Sequence, residues 1–152
     1  MAFIQHVSAM DVFLGRHIMP TPKTVLIQIM DNGHEFPSPR YSFAKTHQFE
    51  FVDEEESWYK NVISDAQAKQ LVEILQDAVS SNSDVIVHCH AGYSRSSAVA
   101  EVGQYLGMTL VEADRGPNQL VKKKMFDVLG VAYECKSVKY HEDSWLTNNG
   151  IM

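Results

Sequence analysis

The chain is poor in cysteine, in positive charge and in long apolar runs, and each shortage removes a class of protein. Two cysteines among 152 residues, Cys89 and Cys135, cannot build a disulfide framework, and neither sits in the paired spacing of a zinc site. The 7 histidines form no HExxH-type or other ligating pattern, so no metal and no cofactor is expected. With 13 Lys and Arg against 19 Asp and Glu the net charge is −6, which argues against a nucleic-acid partner, because phosphate backbones are held by basic surfaces. No apolar run approaches the length that crosses a bilayer, so no membrane partner is expected. The opening stretch MAFIQHVSAMDVFLGRH lacks the basic start and continuous apolar core of a secretory signal, and a reducing cytoplasm is the expected location. There is no internal repeat and no low-complexity linker.

What is present is the composition of a soluble globular protein, 45% apolar and 21% charged, of the size of one domain. A single domain over residues 1–152 is expected, with the tail from about 136 unassigned because its charged and aromatic residues follow no period. TVLIQIM (Thr24 to Met30) and DVIVH (Asp84 to His88) are β-branched runs of the kind buried in parallel sheets, and HQFEFV (His47 to Val52) alternates as a strand does. SDAQAKQLVEILQDAVS repeats Ala68, Leu71, Leu75, Ala78 and Val79 at helical spacing, and Ser64 with Gln67 forms a capping-box pattern at its start. Ala98, Val99, Val102 and Leu106 stripe a further helix after Arg95. Ser8 suits the cap of a short early helix running to Leu14, and a late helix is expected to begin near Pro117. DNGHEFPSPR (Asp31 to Arg40) and DEEESWYKN (Asp53 to Asn61) read as surface loops. Strands alternating with helices predict an α/β fold, a central and mostly parallel sheet with helices on both faces and right-handed crossovers.

In such folds ligands bind beyond the carboxyl ends of the strands. VIVHCHAGYSRSS brings Cys89 to that edge, one residue past a central strand and at the mouth of a helix. Amides of His90, Ala91, Gly92, Tyr93, Ser94 and Arg95 can form a nest around an anion, and the positive end of the following helix points at the same spot. Arg95 adds a planar fork that matches two phosphate oxygens. The same field favours the thiolate form of Cys89. Gly92 suits a tight loop that brings its backbone close to the anion, Ser96 can donate its hydroxyl to the sulfur, and His88 can tie the loop through its ring nitrogens. A phosphate cradle that holds its own nucleophile implies covalent phosphoryl transfer through a phosphocysteine. The competing reading, a buried inert thiol, leaves the Gly-x-x-Arg-Ser spacing unexplained.

VHCHAGYSRSSA resembles the signature of the cysteine-dependent tyrosine and dual-specificity protein phosphatases, in particular their short members. FEFVD, the helix from Ser64 and RGPNQLVKKKMFDVLG are similar to further blocks of short bacterial and phage members, so the resemblance covers roughly Phe49 to Gly130. It implies hydrolysis of phosphotyrosine, with phosphoserine or phosphothreonine as further substrates, in a phosphorylated protein. It also implies an aspartate, as general acid, on a loop after a strand; Asp53 takes that position, 36 residues before Cys89, a wider gap than is usual in the family. Glu54, Glu55 and Glu56 compete for the role, and Asp65 is a further candidate. Asn118 matches an asparagine that orients backbone near the active-site loops, or else it polarises the first turn of the late helix. His90 and Tyr93 would line the rim. Lys122, Lys123 and Lys124 read as a solvated helix face, and Cys135 as a buried small side chain or a partner for oxidised Cys89. Two rivals stand beside the protein phosphatase: an enzyme for RNA 5′-phosphates or phospholipids, whose lipid-directed forms carry lysines that this loop lacks, and a module that binds phosphoprotein without turnover.

Overall fold

The computed structural model describes residues 1–112 and 116–134; Cys135 and the tail lie outside the described residues. Strands β1 (Phe3–Ser8), β2 (Val25–Met30), β3 (Lys45–Glu50), β4 (Val85–Cys89) and β5 (Thr109–Val111) form one sheet in the order β3-β2-β4-β1-β5, and every pairing is parallel. Helices α1 (Ala9–Leu14), α2 (Asp65–Ser81), α3 (Arg95–Tyr105) and α4 (Gln119–Val128) complete the described elements. The expected α/β class is observed, with β4 at the centre and Cys89 as its last residue rather than one position beyond it.

The two faces of the sheet are covered unequally. Ile4, Ile27, Ile29, Val85 and Val87 point to one side and pack with Leu71 and Leu75 of α2, Val99 and Val102 of α3, and Leu120 and Met125 of α4. Val7, Leu26 and Ile86 point to the other, where Val12 of α1 covers them with half-buried Ile18 and Phe43. Alternation of side chains along a strand accounts for the split, since neighbours in sequence face opposite ways. Three helices thus build the main core, and one short helix with its flanking loop closes the back.

Two strands escape the sequence reading. In β1 a polar pair, Gln5 and His6, interrupts the apolar run, yet both are buried with partners: the Gln5 side-chain oxygen accepts from the Ile18 amide at 2.8 Å. β5 has only three residues, all half-buried. β3 begins two residues earlier than its alternation suggests, and Phe51 lies just past it, fully buried, with its amide on the Met30 carbonyl at 3.1 Å. Val79 is 38% exposed although it follows the stripe of α2. The lysine run is a solvated face only in part, at Lys123, whose side chain is 42% exposed. Lys122 retains 14% of its side-chain exposure, sits 2.6 Å from Glu101 and lies over the Tyr133 ring, while Lys123 and Lys124 pair with Asp127 and Asp65.

Helix α2 starts at the predicted box: the Ser64 hydroxyl accepts from the Gln67 amide at 3.1 Å, and the Gln67 side chain accepts from the Ser64 amide at 2.9 Å. Ser64→Ala removes one of these reciprocal bonds and is expected to lower stability by about 1 kcal/mol, read from the midpoint of chemical denaturation. An unchanged midpoint would show that packing alone starts the helix.

Candidate active site

Between β4 and α3 the chain makes a short loop whose carbonyls are taken up from outside it. The Cys89 carbonyl accepts from His88 Nδ1 at 3.1 Å, and the His90 carbonyl from the Ala9 amide at 3.1 Å. The Gly92 carbonyl accepts from His6 Nδ1 at 2.8 Å, and that of Ser94 from the Asn118 amide at 3.0 Å and the Ala98 amide at 3.1 Å. These peptides are trans, so each N–H lies opposite the preceding carbonyl. Turning the four carbonyls outward aims the amides of His90, Ala91, Tyr93 and Arg95 into the loop, which is the geometry of an anion nest. Gly92 is required twice over. Its φ is +80°, and a Cβ there would stand 2.7 Å from the backbone of Val7 and Ser8.

Cys89 is 2% exposed at the floor of this loop, and its Sγ lies 3.2 Å from Ser96 Oγ, a donor suited to a thiolate. Arg95 is 4% exposed. Its Nη1 donates to Asp31 Oδ1 at 2.7 Å and to the Phe51 carbonyl at 2.6 Å, while its Nε is buried without a partner among the described residues. One end of the guanidinium is therefore fixed to the scaffold and the Nε edge remains to take up an anion. His88 is fully buried beneath the loop; burial pushes its pKa down to about 4, the bond to the Cys89 carbonyl opposes that shift, and the charge of Arg95 adds to it. A neutral imidazole with its proton on Nδ1 ties the loop without contributing charge.

The acidic loop comes to the same place. Asp53 Oδ1 accepts from Ser94 Oγ and from Asn118 Nδ2, each at 2.7 Å, and Asn118 Nδ2 also reaches the Glu54 carbonyl at 3.2 Å. Glu55 is turned aside, its Oε2 accepting from the Gln119 amide at 2.6 Å. Asp65 is held by Lys124. At its other end Asn118 polarises the first turn of α4, its Oδ1 accepting from the Val121 amide at 3.0 Å. A cleft of about 300 Å³ lined by Asp53, Glu55, Ser94, Gly116, Pro117 and Gln119 opens beside the loop. His90, Ala91 and Tyr93 are exposed at the rim. Two contributors were not singled out in the sequence: His6, hidden in an unrecognised strand, and Asp31, read only as the start of a loop. Asp31 directly follows β2 at its carboxyl end, the same sheet edge as Cys89, and that position was the available signal.

No protein-family model matches the chain, and no curated protein does. Solved structures do. The human tyrosine phosphatase-like serine/threonine/tyrosine-interacting protein superposes with a TM-score of 0.51 at 14% identity, over 82% of this chain and 89% of its own. Human DUSP28 gives 0.48 at 16% identity, over 86% and 81%. OH1 from the Orf virus, a tyrosine phosphatase, gives 0.44 at 15% identity, over 86% and 70%. The first of these shows that the chain has the cysteine-phosphatase fold.

The depressed pKa of His88 has a consequence for stability. Between pH 6.5 and about 4 the unfolded chain binds a proton at His88 that the native protein refuses, so stability is held above that window and is lost as pH falls through it. The loss from this group is expected to be roughly 3 kcal/mol between pH 7 and pH 4. His88→Asn keeps an amide donor and removes the titration, so its denaturation free energy should decline less steeply over the same range. An identical slope would contradict the assignment.

Proposed function

We propose that this protein is a cysteine-dependent phosphatase that hydrolyses phosphotyrosine in proteins, with phosphoserine and phosphothreonine as further substrates. The observation that carries the reading is the turn that follows β4, where buried Cys89 lies 3.2 Å from the Ser96 hydroxyl and the neighbouring buried Arg95 has an Nε without a partner among the described residues. The fold supports it, since the nucleophile and the anion nest stand at the carboxyl edge of a parallel sheet. In the first step Cys89 Sγ bonds to phosphorus, the bond to the ester oxygen breaks, and Asp53 gives that oxygen a proton. In the second, Asp53 takes a proton from water as the water oxygen bonds to phosphorus, and Sγ leaves with the Ser96 hydroxyl as its donor. Arg95 and the loop amides hold the equatorial oxygens throughout. Asp53 is favoured over Glu54, Glu55 and Glu56 because its carboxylate faces the loop, whereas that of Glu55 binds the start of α4.

A module that binds phosphoprotein without turnover needs the cradle but not the thiol. The Ser96 hydroxyl at 3.2 Å from Cys89 Sγ favours the enzyme, because a donor to the sulfur serves its departure and adds nothing to simple binding. Loops 31–40 and 53–61 both reach the site, and the depth that they give the pocket decides between tyrosine and the shorter phosphoamino acids.

With a phosphotyrosine peptide, Cys89→Ser is expected to lower kcat by roughly three orders of magnitude while still binding vanadate, and Arg95→Lys by roughly a hundredfold or more, because charge remains but the fork is lost. Asp53→Asn is expected to cost about a hundredfold with that peptide and far less with an activated aryl phosphate, whose leaving group needs no proton. Turnover by Cys89→Ser within tenfold of the parent protein would refute the nucleophile, and the Asp53 signature appearing instead in Glu54→Gln, Glu55→Gln or Glu56→Gln would reassign the acid.

A further inference from the structure

Asp53 lies on an exposed loop, yet its carboxylate has little freedom. Oδ1 accepts two short hydrogen bonds, from Ser94 Oγ and Asn118 Nδ2, both at 2.7 Å. Each donor is itself fixed. Ser94 occupies the N-cap position of α3 but makes no side-chain cap bond there, so its hydroxyl is available for Asp53. Asn118 is fully buried, and its other end caps α4 at 3.0 Å from the Val121 amide, which sets the orientation of the amide and directs Nδ2 at the acid. The Asn118 backbone amide is bonded to the Ser94 carbonyl at 3.0 Å, so the two donors are also tied to each other. Further along, Glu54 and Glu55 anchor the same loop to the start of α4 through the Asn118 side chain and the Gln119 amide.

A carboxylate oxygen that accepts two such donors has both lone-pair directions occupied and no room for a proton of its own. We infer that Ser94 and Asn118 are positioning residues that assign the transferable proton of Asp53 to Oδ2 and hold that oxygen at the loop before substrate arrives. The inference rests on the phosphatase reading and deepens it. In the first step the Oδ2–H bond breaks as the ester oxygen leaves phosphorus and takes the proton; in the second, Oδ2 accepts a proton from the attacking water, and Oδ1 keeps its two donors in both steps. Because the anchors come from the nucleophile loop and from α4, the acid is placed by the folded scaffold rather than by closure of a mobile lid.

The test compares kcat for phenyl phosphate, a poor leaving group, with kcat for dinitrophenyl phosphate, an activated one. Ser94→Ala is expected to lower the ratio of the two by about tenfold, the effect of losing one hydrogen bond to a charged group. Ser94→Thr, which keeps the hydroxyl, should restore the ratio. Asn118→Ala should lower it likewise, although it also removes the cap of α4, so the serine variants decide. In an Asp53→Asn background Ser94→Ala should lower the ratio no further, because the group it positions is gone. A protein that hydrolyses neither ester would overturn the phosphatase reading and this inference together. A protein that hydrolyses both, with a ratio unmoved by Ser94→Ala or lowered equally in the Asp53→Asn background, would overturn the inference alone.

Discussion

Four backbone carbonyls, those of Cys89, His90, Gly92 and Ser94, accept hydrogen bonds from outside their own loop, and the chemistry of the site depends on that constraint. An unsupported loop of this length would turn its amides toward water. Here the Cys89 carbonyl meets the side chain of its own strand neighbour His88, and the others meet donors from elsewhere: Ala9 from the first helix, His6 from β1, and Asn118 and Ala98 from the regions of α4 and α3. The amides are thereby committed to the inside, and the desolvation cost of the carbonyls is met elsewhere. Gly92 is the point of closest approach, where the backbone of β1 leaves no space for a side chain. The strand that carries His6 is therefore as much a part of the site as the loop itself.

The second constraint concerns charge. Arg95 is nearly buried, and a buried guanidinium needs compensation. Asp31 and the Phe51 carbonyl supply it at one nitrogen, which leaves Nε buried without a partner among the described residues. His88, beneath the loop, adds no charge of its own, because burial keeps it neutral near pH 7. Positive potential is thus delivered by one side chain, the loop amides and the start of α3, all fixed before any anion arrives, which is the condition under which electrostatic stabilisation is most effective. The carboxylate that would hand over the proton is held by two short bonds, from Ser94 of the same loop and from Asn118 at the start of α4.

Much of this was legible in the primary sequence, for definite reasons. The run from Val85 to Ser96 compresses strand, thiol, glycine, arginine and serine into twelve positions, so local spacing carries most of the geometry. The box at Ser64 and the cap at Ser8 specify helix starts through contacts only three residues apart, and both appear. What escaped depends on distant partners. His6 and Gln5 look like interruptions of an apolar run until Gly92 and Ile18 are placed beside them. Asp31 and Arg95 are 64 positions apart, and no pattern in a loop rich in proline and glycine announces an ion pair across that distance. Lys122 reads as solvated because its acidic partner lies on another helix. Its place directly after a strand favours Asp53 as the acid over Glu54, Glu55, Glu56 and Asp65, but the sequence does not say which carboxylate faces Ser94 and which faces Gln119.

The central claim is that Cys89 becomes covalently phosphorylated. It is tested most directly by rapid acid quench of the protein during turnover of an activated aryl phosphate, followed by digestion and mass spectrometry of the peptides. The account predicts an initial burst of phenol that approaches one equivalent per chain where hydrolysis of the intermediate limits the rate, and phosphate on the peptide that contains Cys89. Turnover with phosphate trapped on another residue, or turnover in which Cys89→Ser leaves both the burst and the labelled peptide unchanged, would contradict it.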